Sequence, residues 1–191
     1  MNIGFVLGNG ISRKSISGPQ LMKHGRVYGC NALYREFTPY ALIATDQPIA
    51  KRIQESEYSR HNKFYTRRPI SGLGALPVPY FTFSSGPNAA AVAAIDGLSP
   101  VYLIGFDMAP TEDGLFNNVY AGTEFYKPDG AEPTFAGNWQ KQLVEVMLTC
   151  HRTEFCRVIG STTADIPELN AIENYSTMPM NQFAAWLIDT D

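Results

Sequence analysis

Apolar positions along the chain alternate between two patterns. Short apolar runs cover 2–7, 26–30, 41–45, 80–83, 101–104 and 155–159, each closed by Gly, Asn, Asp or Ser. Runs of this length, bounded by turn residues, predict strands. Between them lie stretches with helical spacing. One covers 48–56. A second opens at Ser85-Gly86-Pro87, a cap residue with Pro near the first turn, and continues through the Ala-rich 88–95, whose small side chains allow close packing on a sheet. In a third, 138–149, Trp139, Leu143, Val146, Met147 and Cys150 recur at 3.6-residue spacing. Met180, Phe183, Ala184 and Leu187 do the same in a C-terminal helix opened by Thr177 and Pro179. Strands alternating with helices predict an α/β domain with an open, mostly parallel sheet flanked by helices. No repeat or linker interrupts the pattern, so 1–191 reads as one domain.

Two segments fit neither pattern. Residues 51–68 carry Lys51, Arg52, Arg60, Lys63, Arg67 and Arg68, six of the fifteen basic residues. Residues 110–137 are too long for an ordinary connection, and loops of that length are usually functional or disordered. This one is acidic: Glu112, Asp113, Glu124, Asp129 and Glu132 face only Lys127. Its aromatics Phe116, Tyr120, Phe125, Tyr126 and Phe135 argue against disorder, and Gly114, Gly122 and Gly130 offer hinges. The expectation is a loop at the carboxyl edge of the sheet that closes over a ligand with its aromatic rings.

Composition narrows the function classes. With 45% hydrophobic and 17% charged residues, the 191-residue chain is not disordered, and at that length about 70% of the unfolded surface can be buried without disulfides or metals. A net charge of −3 excludes nucleic-acid binding by bulk charge. No apolar run reaches the roughly 18 residues of a membrane helix, and the start MNIGFVLGNG has neither a basic n-region nor a cleavage site. Three cysteines without a CxxC pair read as reduced thiols. These features predict a cytoplasmic protein with no membrane partner; homo-oligomerisation is left open.

Candidate chemistry gathers at the carboxyl ends of the expected strands, where open parallel sheets bind ligands. Gly8-Asn9-Gly10 turns tightly and brings N–H groups toward a phosphate or ribose, with Ser12 adding a hydroxyl; the plainer reading is a strand-to-helix turn. Asn31, directly after a strand, carries the donor and acceptor that read a base edge or sugar, or caps the next turn. Asp46 and Asp107 each end a strand, placed to hold ribose hydroxyls or a metal, or to cap. Ser84-Ser85-Gly86 precedes a helix, as an anion site or a cap. Cys30 reads as a small buried hydrophobe, and His24, His61 and His151 fall at no metal-ligand spacing, so no metal and no cofactor is expected. Arg67-Arg68 reads as a solvated face or a phosphate contact.

The order of these motifs, GNG with Ser two residues on, then G-C-N-x-L-Y, a strand ending in Asp, S-S-G before a helix, and Y-L-I-G-F-D, resembles the bacterial sialyltransferases of glycosyltransferase family 42. It is also similar to small phage and bacterial proteins sharing that Rossmann-like fold. The resemblance runs from Gly8 to the last helix and implies that Asn9, Gly10, Asn31, Ser84, Ser85 and Gly86 line a nucleotide site. In the family a general-base histidine stands just ahead of the helix matching 138–149. Here that stretch reads Glu132-Pro133-Thr134-Phe135-Ala136-Gly137, and His151 lies past the helix. The family's leaving-group tyrosines would fall in the long loop, where Tyr120 and Tyr126 stand.

A kept cradle without the proton-transfer group, which is typically worth about 10²–10⁴-fold in rate, gives two expectations. One is a phage-type protein that captures a nucleotide or nucleotide-derived signal, against host defence. The alternative is a CMP-sugar-like, nucleotide-sugar-dependent glycosyltransferase using Asp107, Glu124 or Asp129 as base.

Overall fold

A computed structural model describes residues 2–190. In chain order the elements are β1 (Gly4–Leu7), α1 (Gly18–Leu21), β2 (Arg26–Cys30), β3 (Ala41–Ala44), α2 (Gln47–Glu55), α3 (Tyr58–His61), β4 (Phe64–Thr66), β5 (Leu76–Pro77), α4 (Ser85–Ile95), β6 (Val101–Ile104), α5 (Gly137–Thr149), β7 (Phe155–Ile159), α6 (Pro167–Asn170), β8 (Tyr175–Pro179) and α7 (Met180–Asp189). Single 3₁₀ turns, Ile11–Ser15 and Asn31–Arg35, follow β1 and β2. The eight strands form one open sheet in the order β5-β4-β3-β2-β1-β6-β7-β8, every neighbouring pair parallel. This is a Rossmann-like α/β fold.

The inner strands are apolar on both faces because helices cover both. Phe5 and Leu7 of β1 join one core with Leu42, Ala44 and Phe183; Val6 joins the other with Tyr28, Ile43 and the α4 alanines. Helix α4 lies across β1, β2 and β3 and also packs against α5. Ala89, Ala90, Ala91 and Ala93 are all 0% exposed, so small side chains let the helix sit close to the sheet while enclosed all round.

Three edge features depart from the expectation. Residues 80–83 form a turn, not a strand. The Asn88 carboxamide captures it, with Nδ2 donating to the carbonyls of Tyr80 (3.0 Å), Phe83 (3.1 Å) and Ser84 (3.2 Å), and Oδ1 accepting from Tyr80 N–H at 3.0 Å. The edge positions go instead to β4 and β5, inside the basic segment and just after it. Past β7 the chain adds β8, whose mostly exposed residues carry no apolar run. Among the described residues no helix is long and apolar enough to cross a membrane.

Candidate functional site: a cleft at the switch point

Strand β1 is flanked by β2 on one side and β6 on the other, and the chain leaves β1 and β6 in opposite directions. The loops at their carboxyl ends therefore part and leave a crevice, which in open α/β sheets is the ligand position. A cleft of about 390 Å³ lies there, within the roughly 300–1,000 Å³ of small-molecule sites. Its floor is Gly8-Asn9-Gly10 after β1 and Gly105-Phe106-Asp107 after β6; Asn31, Thr45 and Asp46 come from the ends of β2 and β3, and Ser84-Ser85-Gly86 from the start of α4. Phe116, Asn117, Asn118, Pro133 and Thr134 of the long loop and Trp139 of α5 close the remaining side.

Among the residues singled out from sequence, Gly8, Asn9, Gly10, Asn31, Asp46, Ser84, Ser85, Gly86 and Asp107 are thus brought together around one cleft. Ser12, Tyr120 and Tyr126 are not among its lining residues. The Ser12 hydroxyl donates to Asp107 Oδ1 and supports the floor from behind.

The two tyrosines face the opposite core. Tyr120 is 7% exposed, its hydroxyl accepting from Arg13 Nη2 at 2.8 Å and donating to Glu36. Arg13, itself 5% exposed, pairs with Glu36 at 2.8 Å and lies over the Tyr120 ring. Burial on its own would raise the Glu36 carboxyl, but hydrogen bonds from Arg13 and Tyr120 and the guanidinium charge hold it below the ordinary carboxyl range. The Tyr126 hydroxyl accepts from Ala32 N–H at 3.3 Å, and its ring packs 5.4 Å from that of Tyr120. Both rings anchor the long loop to the body, so neither is placed to touch a leaving group.

The loop is accordingly fastened along its middle. Val119 N–H donates to the Asn9 carbonyl at 2.8 Å, Ile11 N–H to Asn117 Oδ1 at 2.8 Å, and Arg52 pairs with Glu124 at 3.0 Å. Of the loop aromatics expected at the ligand, only Phe116 lines the cleft.

Asp107 is a structural hub. It is 3% exposed and accepts from Ser12 N–H (3.1 Å), the Ser12 hydroxyl, Asn117 Nδ2 (3.1 Å), Thr162 Oγ1 (2.8 Å) and Thr163 Oγ1 (3.3 Å). A carboxylate with every lone-pair direction occupied is no proton acceptor for a substrate. Beneath it, Arg157 of β7, 1% exposed, donates Nε (2.9 Å) and Nη2 (2.6 Å) to the Phe106 carbonyl, Nη2 to the Asp107 carbonyl (3.1 Å) and Nη1 to the Ala164 carbonyl (2.6 Å). Nothing in the sequence pattern distinguishes Arg157 from an ordinary strand position.

The GNG glycines act differently from the expectation. Gly8 N–H donates to the Ile104 carbonyl and Gly10 N–H to the Gly105 carbonyl, both at 2.8 Å, so these amides are engaged within the protein. Gly10 has an ordinary φ of −63°. What requires glycine is the β6 loop: a Cβ on Gly8 would stand 2.6 Å from the Gly105 carbonyl oxygen, and one on Gly10 2.7 Å from that same atom. Gly105 itself has φ 75°, in the left-handed region.

The free chemistry is polar and uncharged or negative. Asn9 Oδ1 is buried with no hydrogen-bond donor. Asn31, held at φ 53°, accepts the Ser85 hydroxyl proton on Oδ1 at 3.0 Å and leaves Nδ2 unengaged. The Asp46 carboxylate follows β3 without capping α2 and, among the described residues, without an ion pair. Among the described residues no Lys, Arg or His lines this cleft. Burial pushes the Cys30 thiol up to about 12, so it is protonated at neutral pH and no nucleophile. Among the described residues no three His, Cys, Asp or Glu side chains are grouped as a metal site.

Trp139, Phe106 and Thr45 were not singled out as site residues from sequence. Trp139 fits the helical apolar stripe of α5 and so reads as core, yet at the first turn it reaches the cleft. No family model matches the chain, and neither does any curated protein or solved structure at a significant level.

Proposed function

We propose that the protein binds a nucleotide or nucleotide-derived small molecule in the switch-point cleft and holds it without turnover. The observation that carries this reading is the set of unengaged groups there: the buried Asn9 Oδ1, the Asn31 Nδ2 and the Asp46 carboxylate, beside the aromatic residues Phe106, Phe116 and Trp139. An amide donor and an amide acceptor suit a base edge, a carboxylate suits ribose hydroxyls, and aromatic rings offer stacking surface. The bases expected for a transferase are not available: Asp107 is saturated, Glu124 pairs with Arg52, and neither Glu124 nor Asp129 lines the cleft. Capture of a nucleotide signal, in a phage setting against host defence, is the physiological role that the sequence resemblance supports.

Native mass spectrometry of purified protein, followed by denaturation and identification of released small molecules, tests the reading. A stoichiometric, chemically intact nucleotide is expected; a protein that carries none and binds none on titration overturns it. Asp46 favours a second reading, a nucleotide-sugar-dependent glycosyltransferase, because it is the carboxylate in the cleft free to accept a proton. Release of free sugar or a glycosylated product from CMP-sugars, abolished in Asp46→Asn, would support transfer over capture.

A further inference from the structure

A second cavity of about 390 Å³ lies beside the first and shares Thr45 with it. It sits at the carboxyl ends of β3 and β4, on the same ligand-binding edge of the sheet. Its charge is the reverse of its neighbour's. Lys51, Arg67 and Arg68 line it, together with Gln47 and Gln54, and among the described residues no carboxylate does. The switch-point cleft has Asp46 and Asp107 and, among the described residues, no cation.

The framework of this second cavity is fixed. Gln54, 2% exposed, donates Nε2 to the Arg68 carbonyl at 3.4 Å and accepts Ile70 N–H at 2.7 Å, which holds the 68–70 backbone against α2. Arg67 donates to the carbonyls of Phe81 at 2.5 Å and Phe83 at 3.1 Å, tying β4 to the turn before α4. Three cations of the basic segment are engaged elsewhere, Arg52 with Glu124 (3.0 Å), Arg60 with Glu57 (3.6 Å) and Lys63 with the Tyr40 hydroxyl (3.1 Å), whereas Lys51, which lines the cavity, makes only an exposed pair with Glu55 one turn on (3.6 Å). The Arg68 guanidinium alone among these six has no partner among the described residues.

We propose that this basic cavity is an anion subsite that takes the phosphate groups of the ligand whose uncharged part occupies the neighbouring cleft, with Arg68 and Lys51 as the phosphate-binding cations. The proposal rests on the nucleotide reading of the first cleft. It explains the charge segregation: Asp46 beside the first cleft repels phosphate, and the cations one wall away attract it. Arg67, already bound to two carbonyls, positions the wall.

Calorimetry on the full chain decides the matter, using adenosine, cytidine, guanosine and uridine, their mono- and triphosphates, and tripolyphosphate. Binding of one triphosphate at least tenfold tighter than of its nucleoside is expected. That gain should disappear in the Lys51→Gln/Arg68→Gln double variant, with nucleoside affinity unchanged, and should shrink at high salt. Equal affinity for nucleoside and triphosphate, or a gain that survives the double variant, overturns the subsite while leaving the first cleft's reading intact. Tripolyphosphate binding that needs Lys51 and Arg68, without any nucleoside binding, supports the anion site and overturns the nucleotide reading. Thermal melting of the double variant serves as the folding control; both side chains are exposed, so an unchanged Tm is expected.

Discussion

The Ser85 hydroxyl donates to Asn31 Oδ1 at 3.0 Å across 54 positions of sequence, and this one bond sets which face of the Asn31 amide the cleft receives. Ser85 Oγ accepts Thr45 N–H at 3.0 Å and lies 3.1 Å from the Thr45 hydroxyl, and since the Asn31 oxygen can only accept, the Ser85 proton goes to the amide and the Thr45 hydroxyl donates to Ser85. The relay from β3 to α4 to β2 therefore fixes Asn31 with its NH₂ unengaged as a donor.

Replacement of Asn31 separates binding from folding. Asn31 sits at φ 53°, where glycine is at ease, so Asn31→Gly should keep the Tm within a few degrees while removing the donor. Loss of that contact should weaken nucleotide binding by about 1–3 kcal/mol. Asn31→Asp can still accept from Ser85 but donates nothing, and should bind as poorly. Calorimetry and melting of both variants check this; normal binding with an earlier melt would make Asn31 a structural residue only.

The glycines of the first loop answer to packing. A Cβ on Gly8 or Gly10 meets the Gly105 carbonyl oxygen at 2.6 and 2.7 Å, so Gly8→Ala and Gly10→Ala should each destabilise the fold by about 1–3 kcal/mol through overpacking. Chemical denaturation of the ligand-free proteins measures this. Variants as stable as the parent but unable to bind nucleotide would restore the direct-contact reading of these glycines.

Arg157 holds the cleft floor from below. Arg157→Met keeps an unbranched apolar stem and removes all donors to the Phe106, Asp107 and Ala164 carbonyls. The Asp107 carbonyl keeps the Ala164 N–H at 2.8 Å, so the Phe106 carbonyl is the buried acceptor left alone; its loss should cost about 1–3 kcal/mol and the Asp107 loop should loosen. Hydrogen exchange at Gly105 to Met108 is the readout, with faster exchange expected there than in β2.

These contacts show where sequence reasoning reached and where it stopped. β1, β2, β3, β6 and β7 are buried on both faces and so appear as apolar runs; β4, β5 and β8 lie toward the edges and lack that signature. The residues ending the inner strands, Asn9, Asn31, Asp46 and Asp107, were legible as a group because a parallel sheet brings its carboxyl ends together. Their division of labour was not. Only the partners show that Asp107 is saturated and Asp46 free, since both end an apolar strand in the same way. Tyr120 and Tyr126 were misplaced for a related reason: an aromatic in a long loop carries no sign of which side of the sheet it will enter.

Glu36 gives the fold an acid-sensitive fastening. Its carboxyl lies lower in the folded protein than the ordinary value of 4.5 because, against the effect of burial, Arg13 and Tyr120 bond the charged form. A depressed carboxyl contributes stability that is fully present above its unfolded pKa and is lost as pH falls through the folded one. Stability should therefore decline below about pH 4.5, and Glu36→Gln should lie below the parent at pH 7 but flatten that part of the acid limb. Denaturation midpoints from pH 7 to pH 3 test it; parallel curves for both proteins would remove Glu36 from the acid response.

The long loop should respond to ligand in one part only. Its middle is tied down by Val119 to Asn9, by Asn117 to Ile11 and Asp107, and by the buried hydroxyl of Tyr120. Tyr120→Ala should consequently act on stability, by about 3–5 kcal/mol for a buried aromatic, and not on ligand dissociation alone. The stretch that both lines the cleft and stands clear of the core is 133–136, where Phe135 is 80% exposed between Thr134 and Ala136. A nucleotide seated against Pro133, Thr134 and Trp139 would hold that stretch in place. Chymotrypsin should cut after Phe135 in the free protein, spare Tyr120 in both states, and lose the Phe135 cut when nucleotide is bound. Unchanged cutting at Phe135 under saturating nucleotide would mean that this side of the cleft does not close on the ligand.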